Sequence, residues 1–539
     1  TSTAGSVGTS RANIKLAFNV TCPRPTALEA TGVTTSSAIL NWTKGGTETA
    51  WDIYVSTSDA CPTSSTTPTY SNVNTKPYTL NGLTSYTTYY VWVRAKCSGN
   101  SAWSQKLVFT TPPAFSCGGS GTSADPYLIC NVSDMNLLAT ATNEGWETSG
   151  KYFKIADSYS GTVTNTIGTS FHPVKGNFNG NNKTLTITRT VSAQYNGLFG
   201  YVGAGANIHD VKVSGTITGS SYSYIGGIVG QAYGTSESRV TISNCTNQAT
   251  INGTSSYHGG IAGSAYYTDF TNCSNTVAVA GSYYIGGILG SSYYSTVVNC
   301  NNSGNVTSTS YYTGGICGCA YSTTNNVSNF TRCTNSGTIS SSSYGVGGII
   351  GYAYGGSTYK TIVFGCSNTG SVSSTSYYLG GVAGYAGYCD MDECSNTGTV
   401  SSSSYNVGGV VGYLYYSTLR NSYNRGAVST SCSSTSTSYG VGGVAGYVYG
   451  SSSTYCYVDN CYNTGTVSAS STTSFCVGGV VGRNYYGYIR NCYTGNTITI
   501  NSSNTTYSGN VCGYNYTGGY VQYCHFRSGM ISYGTTTRV

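Results

Sequence analysis

Charge is what this 539-residue sequence has least of: Asp, Glu, Lys and Arg together make up 7% of it, against about 25% in an average soluble domain. The 23 basic residues form no run and no helical stripe, so the clustered Lys and Arg that grip nucleic acid or a membrane surface are missing. No apolar run reaches the ~18 residues of a membrane span. Helix-favouring Glu, Lys and Leu are scarce, which excludes a mainly helical protein. The four His (His172, His209, His258, His525) are dispersed and no CxxC pair occurs, so no metal site and no cofactor are expected. Beyond residue 197 the acidic residues are Asp210, Glu237, Asp269, Asp390, Asp392, Glu393 and Asp459. A β-helix lyase or glycosidase needs converging carboxylates, and only Asp390-Met391-Asp392-Glu393 clusters. That cluster reads as a solvated corner, with weak calcium binding as its alternative, and no catalytic residue is assigned.

What fills the space is Gly (73 residues), Tyr (53), Ser, Thr and Asn, a composition for strands joined by tight turns. The phrase x-Gly-Gly-(Ile/Val)-x-Gly recurs with its first glycine at 226, 259, 286, 314, 347, 380, 408, 442 and 478, and in degenerate form at 196 and 509. Spacings of 27 to 36 residues signal a solenoid, propeller or array. A second phrase, residue-Cys, follows each first glycine after 14 or 19 residues, with 15 in the last repeat. Two values five apart mean that one corner is either tight or carries a five-residue insertion, while both flanking elements keep register. A coil of ~27 residues cannot bury its own apolar face, so neighbours must supply the core. The expected fold is therefore all-β, with a right-handed parallel β-helix of about eleven coils; a β-propeller is the rival. The paired glycines mark either a tight turn or a close approach of backbones.

The chain holds 21 Cys. Nine of them, Cys245, Cys273, Cys300, Cys333, Cys366, Cys394, Cys461, Cys492 and Cys524, occupy the repeated position, which Ser422 interrupts without a change of register. Buried free thiols are the reading preferred over regular pairing, since stacked side chains would have to leave a shared rotamer to bond. Cys22 with Cys97, Cys117 with Cys130, and Cys432 with Cys476 are candidate disulfides.

Ahead of the repeats the sequence divides into an extension with one strand (1–18), a set of short strands (19–112), and a linker with a cap (113–195), followed by the repeats proper (196–539). Ala38-Ile39-Leu40-Asn41-Trp42, Trp51-Asp52-Ile53-Tyr54-Val55, and Leu83 followed six residues later by Tyr89 and then Val91, Val93 and Ala95 resemble a fibronectin type III domain, a β-sandwich. The resemblance implies a corner role for Tyr89, whose hydroxyl would bond the backbone. From Asp125-Pro126-Tyr127 through a helix capped by Ser133, with Met135, Leu137 and Leu138 on its apolar face and Gly145 at its end, to Gly197-Leu198-Phe199-Gly200, the chain resembles the leader of bacterial surface proteins carrying the GLUG motif. That resemblance implies an exported, repeat-built surface protein and no single activity.

Aromatic residues flank each Gly-Gly phrase. Tyr344, Tyr377, Tyr405, Tyr439 and Phe475 precede it; Tyr354, Tyr388, Tyr415, Tyr449 and Tyr486 are among those that follow. Such ladders stabilise by ring packing, or one of them faces outward as a strip for glycans or for host or neighbour-cell surface proteins. The alternating segment Ile14, Leu16 and Phe18 could add as a strand to another subunit and build a fibre head to tail. The expectation is a non-enzymatic bacterial adhesin or fibre subunit, extracellular or on the cell surface after removal of an export signal. A carbohydrate-active β-helix enzyme or a glycan-binding module is the alternative.

Overall fold

A computed structural model describes residues 22–528 apart from 324, 433–437, 471–474 and 501–506. The segment holding Ile14, Leu16 and Phe18 lies outside the described residues. The chain divides after Ala114 into two compact units.

In the first unit a three-stranded antiparallel sheet (Thr26–Thr31, Ser37–Thr43, Tyr78–Asn81) faces a four-stranded one (Tyr70–Val73, Ala50–Ser56, Thr88–Lys96, Leu107–Thr110). Alternation along Ser37–Thr43 sends Ala38, Leu40 and Trp42 inward, where Trp42 meets Trp51 edge to face with ring centroids 5.4 Å apart. The Tyr89 hydroxyl accepts the Thr84 backbone N–H at 2.8 Å, as the corner role requires. Cys22 and Cys97 are joined by a disulfide.

The second unit is a parallel β-solenoid. One representative coil runs through Leu379–Gly380, Ala383–Gly387, Cys389–Asp392, Ser395–Asn396 and Val400–Ser402. Each strand pairs in parallel with its equivalent in the next coil, Leu379 with Val407, Ala383 with Val411, Asp390 with Thr418, Ser395 with Tyr423 and Val400 with Val428. Repetition of this pairing builds sheets of 10, 11, 14 and 21 strands among the described residues. The parallel ladder begins earlier than the repeat phrase, because Tyr127–Ile129, Tyr152–Ile155 and Asn177–Asn179 already belong to the 14-stranded sheet. Helix α1 (Val132–Asn143) lies in this first stretch. Its N-cap is Asn131, whose side chain accepts the Asp134 N–H at 2.9 Å, and Ser133 sits inside the first turn. Buried Asp134 explains the shift: its carboxylate takes the backbone N–H groups of Ser116 and Cys130 beside the Cys117–Cys130 disulfide, which fixes where the helix starts. Cys432 and Cys476, the third expected pair, are both buried and not joined by a disulfide.

The two-valued spacing has a direct structural cause. In the five coils with 14-residue spacing the corner is one tyrosine, Tyr267, Tyr294, Tyr388, Tyr416 or Tyr486, with φ between 44° and 55°. In other coils that corner is a loop, such as 234–239, 355–360 or 450–455. A second corner is the residue before each Cys position, always at φ between 49° and 62°. Asn holds it in six of ten coils (Asn244, Asn272, Asn299, Asn421, Asn460, Asn491), because Asn accepts the left-handed region at lower cost than most side chains.

Inside runs a column absent from the sequence-based expectations. Two residues after each Cys position stand Asn247, Asn275, Asn302, Asn335, Asn368, Asn396, Asn424 and Asn463, at most 1% exposed. From Asn247 to Asn424 each side-chain Nδ2 donates to Oδ1 of the next Asn at 2.7 or 2.8 Å. It also donates to a carbonyl two residues ahead in its own coil, as Asn368 does to Gly370 at 2.8 Å. The second glycine of the repeated phrase lies against this column. A Cβ on Gly381 would stand 2.3 Å from Asn396 Cγ and 2.1 Å from the Gly409 carbonyl oxygen. The phrase spans the bend between two sheets, from Leu379–Gly380 to Ala383–Gly387, and close approach of backbones there leaves its glycines no room for a side chain. Asn368→Ala removes donors and acceptors at once and leaves Asn335 without its acceptor, so it should destabilise the solenoid by about 3 kcal/mol in denaturant unfolding. Asn368→Thr, which copies Thr494 at the end of the column, should cost less.

His258 stands in the column between Ile225 and Ile285 and is fully buried. Its Nδ1–H donates to the Ala280 carbonyl at 2.7 Å, and burial pushes its pKa down to about 4. An unfolded His titrates near 6.5, so the unfolded chain binds the extra proton. Stability from this site is complete above pH ~6.5 and falls by up to about 3 kcal/mol as pH drops toward 4. His258→Ile should remove that part of the acid sensitivity, read as the unfolding midpoint at pH 7 and at pH 4.5.

Candidate functional site: hydroxyl and tyrosine columns

Period-2 alternation on the 21-stranded sheet sends Val and Asn inward and small hydroxyl residues outward. In the register, Thr307, Ser340, Ser373, Ser401, Ser429, Ser468 and Thr499 follow one another from coil to coil. Thr276, Ser303, Ser336, Thr369 and Thr397 form a parallel row, as do Thr309, Ser342, Thr375, Ser403 and Ser431. Neighbouring coils in such a sheet lie about 4.8 Å apart, so the face is a flat lattice of uncharged donors and acceptors. Toward its C-terminal end Tyr423 and Tyr462 stack at 4.9 Å, and the Arg425 guanidinium lies over both rings at 4.9 and 5.9 Å.

Along one edge of this face six tyrosines stack from coil to coil, among them the expected Tyr344, Tyr377, Tyr405 and Tyr439, each half-buried. Tyr283, Tyr311, Tyr344, Tyr377, Tyr405 and Tyr439 stack with successive centroid distances of 5.1, 5.5, 4.9, 5.1 and 3.6 Å and interplanar angles of 21° or less. Phe475, expected in the same strip, is 0% exposed and belongs to the core, where its lack of a hydroxyl is an advantage. Stacking has a consequence for recognition. Ring faces are occupied by the neighbouring rings, so the strip presents ring edges and a row of phenol O–H groups. Burial raises the pKa of Tyr311 and Tyr377, and the hydroxyls remain donors at ordinary pH.

A second column, Tyr195, Tyr224, Tyr257, Tyr284 and Tyr312, runs further in, with spacings from 4.6 to 5.5 Å, and continues through Tyr352, Tyr385 and Tyr413. Burial pushes Tyr257 up to about 12. Of the tyrosines expected after the phrase, Tyr354, Tyr415 and Tyr449 are on the strand, while Tyr388 and Tyr486 are the left-handed corners described above. Gly387 and Tyr485 hold the strand positions in their place. Two adjacent Tyr residues at a corner cannot be told apart by counting alone.

The remaining expected groups are structural. Cys245, Cys273, Cys300, Cys333, Cys366, Cys394, Cys461 and Cys492 are buried and Cys524 partly so, and none is in a disulfide. Burial pushes the Cys394 thiol up to about 12, and its Sγ–H donates to the Val363 and Asp392 carbonyls. In the acidic cluster, Arg420 bonds Asp392 through Nε and Asp390 through Nη2, each at 3.0 Å. Asp459 is likewise held by Arg490 at 2.7 Å and Asp269 by Arg239 at 2.8 Å. No group of three or more His, Cys, Asp or Glu that could hold a metal ion occurs among the described residues.

Comparisons with known proteins agree with this division. The fibronectin type III domain model matches residues 23–110, and the GLUG motif model matches 375–401, 403–429 and 473–499. No curated protein matches the chain. Among solved structures, a family 28 exopolygalacturonase from Yersinia enterocolitica is 8% identical over 93% of this chain and 99% of its own, with a TM-score of 0.22. A putative immunoglobulin A1 protease from Bacteroides ovatus is 17% identical over 77% and 87%, with a TM-score of 0.25. A structure titled as a myokine is 24% identical over 17% and 97%, with a TM-score of 0.15. Scores this low carry no argument about activity. The chain thus carries a fibronectin type III domain followed by a parallel β-solenoid that bears GLUG motifs.

Proposed function

We propose that the protein is a non-enzymatic, exported bacterial surface protein, an adhesin whose solenoid holds a long uncharged face toward glycans or toward proteins of a neighbouring cell. The observation that carries this reading is the hydroxyl lattice with its tyrosine edge. Over many coils it presents hydroxyl oxygens at one repeat distance, with Arg425 and Arg527 as cations near the C-terminal end. A neutral, hydroxyl-rich polymer such as a glycan matches that chemistry, because each of its hydroxyls can exchange a water contact for a protein one at little desolvation cost. Engagement of Asp269, Asp390, Asp392 and Asp459 by arginines supports a binding role over hydrolysis, which needs an acid and a base free to act on one bond.

The stacked geometry selects the test. Y344F/Y377F/Y405F keeps the rings and removes three edge hydroxyls, so glycan-array or cell-binding signal should fall about tenfold with the unfolding temperature unchanged. Unaltered binding by the folded triple variant would remove the strip from the reading. Turnover of any glycan bound on the array would replace adhesion with catalysis.

A further inference from the structure

On the outward side of the 21-stranded sheet, two columns of the register change chemistry at the same coil. The first runs from Thr246 to Ser395 through small uncharged residues and then becomes Tyr423, Tyr462, Tyr493 and His525. The second, two residues further along, runs from Thr276 to Thr397 in Ser and Thr and then becomes Arg425, Thr464, Gly495 and Arg527. Each member of this second column donates its backbone N–H to the preceding coil in the same way. Arg425, Tyr493, His525 and Arg527 are all exposed. Two columns that switch together mark a patch of rings and cations toward the C-terminal end of an otherwise neutral face.

Arg425 is positioned by rings and left without a counter-charge. Its guanidinium lies over Tyr423 at 4.9 Å and Tyr462 at 5.9 Å, and Nη2 donates to the Tyr462 hydroxyl at 3.0 Å. The side chain thus reaches the coil of Tyr462 with one of its five N–H donors used. Arg239, Arg420 and Arg490 each hold an aspartate, whereas Arg425 and Arg527 have no carboxylate within ion-pair distance among the described residues. Tyr493 supplies what the stacked strip lacks. A Cβ at Gly495 would stand 2.6 Å from the Tyr493 hydroxyl and 2.8 Å from its Cε1, so the ring leans along the strand over that glycine. Among the described residues no second ring stacks on it, and it is 41% exposed, which leaves its outer face open. Neighbouring coils lie about 4.8 Å apart. The Arg425 guanidinium, at the coil of Tyr462, and Arg527, beside His525, therefore stand one coil to either side of this ring.

An open ring face between two unpaired guanidinium groups suits a pyranose that carries an anion. The C–H face of the sugar packs on the ring, the anion takes charge-assisted hydrogen bonds, and the rest of the polymer continues over the hydroxyl lattice. We propose that this patch is the subsite for an acidic residue of a glycan, a hexose bearing a carboxylate or a sulfate, stacked on Tyr493 between Arg425 and Arg527. The subsite presupposes the glycan-binding face proposed above and adds which glycan it takes: a largely neutral chain with an acidic residue directed toward the C-terminal coils. One exposed guanidinium contributes little by itself. Two beside one ring, one of them held in advance by its cation–π contacts, contribute more.

Calorimetric titration of the full chain with a β-1,4-linked glucose hexasaccharide, its C6-carboxylate form and its O6-sulfate form, each at low and at moderate salt, tests this. At least one acidic form should bind about tenfold tighter than the neutral one, the better of the two identifying the anion, and the difference should shrink as salt rises. Arg425→Gln combined with Arg527→Gln should abolish that preference while neutral binding and the unfolding temperature stay unchanged. Tyr493→Ala should weaken the acidic form with its salt dependence retained. Equal binding of neutral and acidic forms would overturn the subsite and leave the hydroxyl face standing. A preference that survives the double glutamine variant, or no binding of either acidic form at millimolar concentration, would overturn it as well. Acidic binding that is lost in the double variant, with no neutral binding at all, would uphold the subsite and count against the neutral face.

Discussion

An amide buried in a dry core must be paired, and the rest of the solenoid follows from how this chain meets that demand. Each column Asn has two donors and an acceptor to satisfy, and one coil cannot satisfy them. One donor is met by a carbonyl two residues ahead, and the other is met only by the amide of the following coil, stacked in the same position. Register is thereby fixed: a slip of one residue would move the whole column to the outer face and leave its backbone partners unmet. The amides also fill the space against the glycine strand, so the second glycine of the repeated phrase has no room for a Cβ. The most conspicuous motif in the sequence is the imprint of a less conspicuous one.

The corners follow the same logic from the backbone side. Coils of equal strand register but unequal length must absorb the difference at a corner, outside the sheets. The choice between a single left-handed tyrosine and a six-residue loop achieves this without disturbing the sheets on either side. The ladders outside the core, hydroxyl on one face and aromatic along its edge, are passengers of that register. Their spacing is the coil repeat, and their chemistry is set by which residues the chain places in the outward positions.

Spacing made much of this legible in the sequence. Gly-Gly to Cys distances of 14 and 19 residues disclosed a stacked array, its register and the corner that takes insertions, and the fibronectin-like half was readable from Trp42, Trp51 and Tyr89. What spacing could not supply was which side of the wall a residue faces when two neighbours share a chemistry. Tyr388 and Tyr486 are corners one position from the strand, and Phe475 follows a line of half-buried tyrosines yet is wholly in the core. The Asn column is present as Cys-x-Asn in eight coils counting Ser422-Tyr423-Asn424, but nothing within one coil marks its amide as buried, because the partner amide lies in the next coil. Ser133 looked like the helix cap because its type fits, and the decision went to Asn131 through a carboxylate, Asp134, whose burial no local pattern announces.

The amide ladder also gives the rod a direction. From Asn247 to Asn424 every Nδ2 points toward the following coil, and from Asn275 to Asn463 every Oδ1 points toward the preceding one; Thr494 takes the next place. The two ends of the run are therefore chemically unlike, one offering acceptors and the other donors. A coil inserted in reverse would present like to like and break the run. The molecule is a vector, and any longer object built by extending its sheets would inherit that polarity.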